Sequence, residues 1–364
     1  MILEKTLPQT RERNWGVDML RIVAMLMVVM LHILGPGGIL FEADKQSAIF
    51  SAAWFVEMMF FCAINCYGLI SGYVGVGAKY KYSNLAYIWL QVVAYSVGIT
   101  LFFHLRYPDV IPFKNVIESF FPVCNGYYWY FTAYFGMFIF APVLNAAVNT
   151  LKKHELRAML VCTFIILCVL PSHFKEDIFL TGWGYSTIWL CFLYLTGGYV
   201  KRHGFFKNRI WFCIVLYWVN VLLTWGVKLW EEYVSPSAYW ADLSGGLLTQ
   251  YSSPTVFLSG LALFVIFTQL KFPSLINKLI ALISPLTFGV YIIHAHPLMW
   301  DRVITYKYAH YINFSVPGMI GAVVLTGICL FAVLAAADAV RLGVFKLLKI
   351  KPLLQKIETK LKKE

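Results

Sequence analysis

The sequence predicts an all-α polytopic membrane protein with about ten transmembrane helices and both termini in the cytoplasm. Composition is the first observation: 60% of the 364 residues are hydrophobic, 13% are charged, and the mean hydropathy is +0.70. A soluble domain carries about a quarter charged residues. The second is a set of ten apolar segments of spanning length, near 15–34, 48–72, 83–104, 127–149, 157–171, 181–200, 209–229, 247–270, 279–300 and 314–340. The third is where the positive charge lies. With the N-terminus inside, 22 of the 30 Lys and Arg residues fall on the inner side, which is the positive-inside pattern. The net charge of +12 then sets orientation and draws the protein to anionic lipid, without nucleic acid as a partner.

Each segment has its own character. Residues 1–14 are polar and lack the pattern of a cleaved signal, so the first apolar run is expected to stay as a span. That run carries Asp18, Arg21 and His32. The second segment carries Glu57 and Asn65 and ends in Ser71-Gly72-Tyr73, and Lys79 and Lys81 follow it on the inner side. The fourth opens with Tyr127-Tyr128-Trp129-Tyr130 and contains Pro142 and Asn145; the proline is expected to kink it. The fifth is short. The ninth holds Thr287, Tyr291 and His294 on one helical face. The tail from Arg341 reads as a basic amphipathic helix at the membrane surface. The organisation is therefore a segment 1–14, a transmembrane domain 15–340 and a tail 341–364. The outer segments, including 105–126 and 230–246 with Asp242, are rich in Tyr, Trp, Pro and Gly; this suits a sugar-facing surface or an aromatic belt at the headgroups.

Several chemistries find no support. The eight cysteines include no C-x-x-C pair and fall almost entirely within the apolar segments, as packing residues do. There is no G-x-S-x-G elbow, Walker loop or dinucleotide fingerprint. His296 and Asp301 fit an H-x4-D pattern, but it straddles a membrane boundary and reads as chance. No converging ligand set for a metal is evident.

What remains is a polar stripe in the first span. Arg21 and His32 are eleven residues apart, which brings them to within roughly 20° of one face and about 16 Å apart along the axis. Asp18, three residues before Arg21, lies close to the same stripe. Ionisable residues at depth cost on the order of 2.5–3.5 kcal/mol and point to function by default. A permanently charged Arg21 suits a phosphate or carboxylate, and a neutral histidine suits a general base. The alternative is structural, with Asp18 and Arg21 as a neutralised pair. Glu57 needs a partner or water, with His32, Arg21 and His294 as candidate partners. His294 is expected near the depth of His32.

Assembled in order, these residues resemble the acyltransferase family three membrane proteins, ten-helix bacterial enzymes that acylate extracytoplasmic glycans. The family's R-x10-H is matched by Arg21 and His32, and its S-G-Y/F by Ser71-Gly72-Tyr73. Its W-Y followed by Pro is matched by Trp129-Tyr130 and Pro142, and its S-F-G-x-Y-x-x-H by Thr287-Phe288-Gly289 with Tyr291 and His294. The resemblance runs from about Asn14 to Val340. Lys79-Tyr80-Lys81 stands where many members carry R-x-x-R, and Thr287 stands in place of serine. No extracytoplasmic hydrolase domain follows the last span, so any relay of the acyl group is expected to need a separate extracytoplasmic transferase.

The resemblance implies an O-acyltransferase, most simply an O-acetyltransferase, of the cell (plasma or inner) membrane. Acetyl-CoA or another acyl-CoA would be the donor, no cofactor would be tightly bound, and the acceptor would be a hydroxyl of a surface polysaccharide or lipid-linked sugar. It implies His32 as general base or transient acyl carrier, Arg21 as donor-orienting group, and Lys79 and Lys81 as donor contacts. Asp18, Glu57, Asn65, Trp129, Tyr130, Tyr291 and His294 would support or bind substrate. The rival is a transporter or flippase for a glycan or lipid-linked precursor, using the buried Arg, Glu and His as a relay.

Overall fold

A computed structural model describes residues 13–234 and 248–362, and every regular element among them is helical. The principal helices are α1 (Trp15–Leu34), α2 (Ala48–Phe60), α3 (Ala63–Gly75), α4 (Tyr82–Arg106), α5 (Trp129–Thr150) and α6 (Lys153–Phe164). They continue with α7 (Thr187–His203), α8 (Ile210–Tyr233), α9 (Pro254–Gln269), α10 (Ser274–Ile283), α11 (Thr287–His294), α12 (Val316–Leu347) and α13 (Ile350–Leu361). Among the described residues, eight helices or successive helix pairs are long and apolar enough to cross a bilayer. Of the remaining expected spans, 181–200 forms the 17-residue α7 and 247–270 the 16-residue α9. Both are packed among other helices: α7 on α3 and α5, and α9 on α8, α3 and α1.

Several boundaries differ from the sequence reading, for local reasons. The second expected span breaks at Phe61 and Cys62 into α2 and α3. The fifth is longer than its apolar run, since α6 passes through a π-turn at Ile165–Val169 into Leu170–Phe174. Pro142 sits inside α5, which continues through it to Thr150. The ninth starts earlier, at Ser274, and is divided by a 3₁₀ turn over Ser284–Leu286 that carries Pro285. Asp242 and Arg11 lie outside the described residues.

Lipid tails offer no hydrophobic drive between helices, so close approach and hydrogen bonds must hold the bundle. The α3–α7 contact shows how. A Cβ on Gly72 would stand 1.8 Å from the Tyr194 carbonyl oxygen, and one on Gly197 would stand 2.0 Å from the Leu69 oxygen. With Gly68 one turn before Gly72, this is a small-x-x-x-small seam. The glycine of Ser71-Gly72-Tyr73 is thus explained by packing. Elsewhere Asn14 joins two helices: its Oδ1 caps α1 by accepting from the Val17 amide, and its Nδ2 donates to Thr268 O at 2.9 Å. Asn65 is a similar clasp, donating to Tyr251 O at 2.8 Å and accepting from Trp189 Nε1 at 3.0 Å.

The tail after α12 folds back as α13 along α4. Its Lys351, Lys356, Lys360 and Lys362 and the exposed row Leu353, Ile357 and Leu361 give the basic amphipathic character the sequence predicts.

Candidate active site

Two helices, α1 and α11, run side by side between a polar cavity and a histidine pair, His294 buried and His32 half-buried. The cavity, about 660 Å³, is lined by Asp18 and Arg21 of α1 and by Thr287 and Phe288 at the start of α11. Arg13, Lys79, Lys81, Ser71 and the phenols Tyr67 and Tyr134 also line it. Arg13, Lys79 and Lys81 are among the residues the charge pattern assigns to the inner side, and Arg21 belongs to the first expected span. Asp18, buried at 6% exposure, pairs with both Arg13 and Arg21. Arg21 keeps 28% of its side chain exposed, toward the cavity it lines. Asp18 therefore neutralises one charge and holds Arg21 in place, while Arg13, Lys79 and Lys81 keep the cavity cationic. The Tyr67 hydroxyl donates to Arg21 O at 2.6 Å, and Ser71 Oγ donates to Tyr67 O at 2.7 Å, so the end of α3 is tied to the Arg21 turn.

At the other end, His32 and His294 meet, although 262 positions separate them in sequence. His32 Nδ1 lies 2.9 Å from His294 Nε2, and His294 Nδ1 lies 2.6 Å from Val290 O. The carbonyl has no hydrogen, so His294 Nδ1 must be the donor there. In the neutral ring its Nε2 is then an acceptor, and His32 Nδ1 must donate to it. This leaves the lone pair of neutral His32 on Nε2, as a general base or nucleophile requires. Trp300 packs edge-on to the His32 ring at 4.7 Å. Over this end, Tyr306 and Tyr308 amides donate to Pro36 O and Gly37 O, both at 3.0 Å, tying the loop after α1 to the segment before α12.

Aromatic side chains connect the two ends. Tyr130 lines the cavity and lies 6.1 Å from Tyr291, whose ring is 6.2 Å from His294. Tyr291 belongs to the face that Thr287 begins at the cavity and His294 completes at the pair, about 10 Å along the helix. Gly289 on the opposite side allows α12 to approach, because a Cβ there would stand 2.0 Å from Asp338 Cγ. Asp338 is fully buried; Arg341 and the Tyr95 hydroxyl, at 2.7 Å each, hydrogen-bond its carboxylate. The ion pair lies within α12, and the Tyr95 hydroxyl ties it to α4.

The other candidate residues fall into separate places. Glu57 is buried, with Oε1 4.0 Å from where a Gly35 Cβ would be, three residues beyond His32; its Oε2 has no hydrogen-bond partner. Trp129 belongs to an aromatic cluster with Tyr185 and Tyr251, at ring distances of 4.3 and 5.8 Å. Asn65 serves that cluster by holding Tyr251, as described above. His296 is not part of an H-x4-D site. Its Nδ1 accepts from the Leu298 amide at 3.2 Å and its Nε2 faces Thr100 Oγ1 at 3.3 Å, which makes it a helix cap. Among the described residues no group of three or more His, Cys, Asp or Glu side chains could hold a metal ion. Sequence reasoning missed Tyr67 and Trp300. Tyr67 lies one turn before Ser71 on the same face, a spacing that marks it; Trp300 had no signal beyond lying at the end of an apolar segment.

A family profile described as an acyltransferase domain matches residues 14–339. The chain belongs to acyltransferase family three. The match covers every side chain of the histidine pair and all but Arg13 of the cavity residues named above. No curated protein and no solved structure matches the chain. Within this acyltransferase, the Arg21 and His32 of the R-x10-H signature sit about three turns apart on one helix, in two differently built environments.

Proposed function

We propose that this acyltransferase moves an acyl group, most simply acetyl, from a cytoplasmic acyl-CoA to a hydroxyl of an extracytoplasmic polysaccharide or lipid-linked sugar. The cell (plasma or inner) membrane is its site of action, consistent with the multi-pass fold and the inner bias of Lys and Arg. The observation that carries the reading is the Val290–His294–His32 chain of hydrogen bonds, which leaves His32 Nε2 as a free proton acceptor.

In this reading the phosphates of the donor lie among Arg13, Lys79 and Lys81, and the pantetheine arm passes Arg21. Arg21 needs no proton exchange to act there, since guanidinium stays charged at any working pH. His32 Nε2 takes the proton of the acceptor hydroxyl as its oxygen attacks the thioester carbonyl carbon. The C–O bond forms, the tetrahedral intermediate collapses with cleavage of the C–S bond, and the imidazolium returns its proton to the leaving thiolate. His294 holds the His32 tautomer throughout, the orienting part that a carboxylate plays in other base–nucleophile sets. Glu57, Trp129 and Tyr130 are proposed to meet the sugar or the acyl arm.

The test is mass spectrometry of surface glycans and glycolipids from cells with and without the gene. Loss of one acyl mass per acceptor supports the proposal. Unchanged glycans together with loss of glycan translocation would replace it with transport.

A further inference from the structure

The cationic edge of the cavity is short and suspended between two helices. Only six residues, Val76 to Lys81, separate the end of α3 at Gly75 from the start of α4 at Tyr82. Ala78, Lys79, Tyr80 and Lys81 line the cavity, and Lys79 and Lys81 are exposed. The first turn of α4 has four amides with no partner inside the helix, and Lys81 at its cap position supplies no side-chain acceptor. The acceptor comes from the far end of the chain. Glu358 of α13 takes hydrogen bonds from the Tyr82 amide at 3.1 Å and the Ser83 amide at 3.3 Å, one on each carboxylate oxygen. Lys362 holds the same carboxylate at 2.6 Å. Ser83 and Glu358 are both buried, at 4% and 8% exposure. Tyr82 in turn packs edge-on against Tyr80 at 4.9 Å, and Tyr80 packs on Phe138 of α5 at 5.1 Å. An anion at a helix N-terminus also gains from the helix dipole.

We propose that Glu358 is a positioning residue for the donor cavity: by capping α4 from another helix it fixes where the Lys79–Lys81 edge stands. The proposal rests on reading the cavity as the acyl-CoA site. It makes the C-terminal helix part of the donor site without touching the donor, and explains why a lysine-rich helix keeps one carboxylate turned inward.

The test uses the full-length protein in liposomes, with CoA binding and donor and acceptor KM measured for wild type, Glu358→Ala and Glu358→Gln. Weakening of CoA binding by about fivefold or more in Glu358→Ala supports the proposal when kcat and acceptor KM stay near wild type. Glu358→Gln, which keeps an acceptor oxygen, is expected to recover part of the loss. In a Lys79→Ala/Lys81→Ala background, Glu358→Ala should add little, because its effect passes through those lysines. Equal CoA affinity in wild type and Glu358→Ala would overturn the positioning role and leave the acyl-CoA reading standing. A wild-type protein that binds no CoA or acyl-CoA would overturn both.

Discussion

His32 and His294 form a hydrogen-bonded pair at 2.9 Å in which the direction of donation is set from outside, by the carbonyl of Val290. The backbone of α11 thereby decides which nitrogen of His32 is basic. A single histidine in a membrane helix would divide its proton between two tautomers, and the pair removes that choice.

Removing the orienting ring should therefore damage the chemical step more than donor binding. His294→Ala is expected to lower kcat on the order of 10²-fold with donor KM near wild type, within the usual range for a positioned acid–base group. His294→Gln, whose amide oxygen can accept from His32 Nδ1, should retain more activity. Steady-state kinetics of the two variants checks this; equal loss in both would deny the tautomer role.

Arg21 stands at the cavity end and should show the opposite pattern. Arg21→Ala is expected to raise donor KM about tenfold or more, with a smaller change in kcat. Arg21→Lys should recover only part of the loss, because a point charge does not reproduce the guanidinium fork. Asp18 stays paired with Arg13 in either variant, so the helix should remain inserted.

The α3–α7 seam tests the fold. Gly72→Val places a side chain where the Tyr194 carbonyl already stands, and neither backbone can yield, so a loss of about 3 kcal/mol or more is expected. Gly98→Val, which meets nothing within 4 Å, should leave thermal unfolding in detergent unchanged. Similar melting of both variants would contradict the close approach.

Docking of the C-terminal helix should depend on acid. The Lys362 ammonium, and then Ser83, hold the Glu358 carboxyl down to about 2. An unfolded glutamate titrates near 4.3. A depressed carboxylate stabilises docking fully above that value and loses the contribution as pH falls through the interval toward 2. Spin labels on α13 and α4 should therefore report a fixed separation at pH 7 that broadens between about pH 4.3 and 2. An invariant distribution down to pH 2 would contradict the capping role.

Much of this was legible in the sequence because bilayer physics is restrictive. Apolar runs must become helices, and charge within them must have a reason. Arg21 and His32 stood out on that ground alone, and helical spacing placed Thr287, Tyr291 and His294 on one face. Hydropathy could not show the break between Phe60 and Ala63, which lies within continuously apolar sequence, whereas the turn at Ser284–Leu286 had a local mark in Pro285. Nor could spacing decide the partner of Glu57, which has no hydrogen bond to His32, Arg21 or His294. Glu358 was invisible for a different reason: its partners are backbone amides 275 and 276 positions away, and amides leave no mark in a sequence.

The most direct test of the central claim is the acyl-transfer activity of His32→Ala in membranes, measured as acylated glycan formed per inserted protein. Our account predicts that the variant inserts, binds acyl-CoA like wild type and forms no product. Product at the wild-type level from the inserted variant would contradict it.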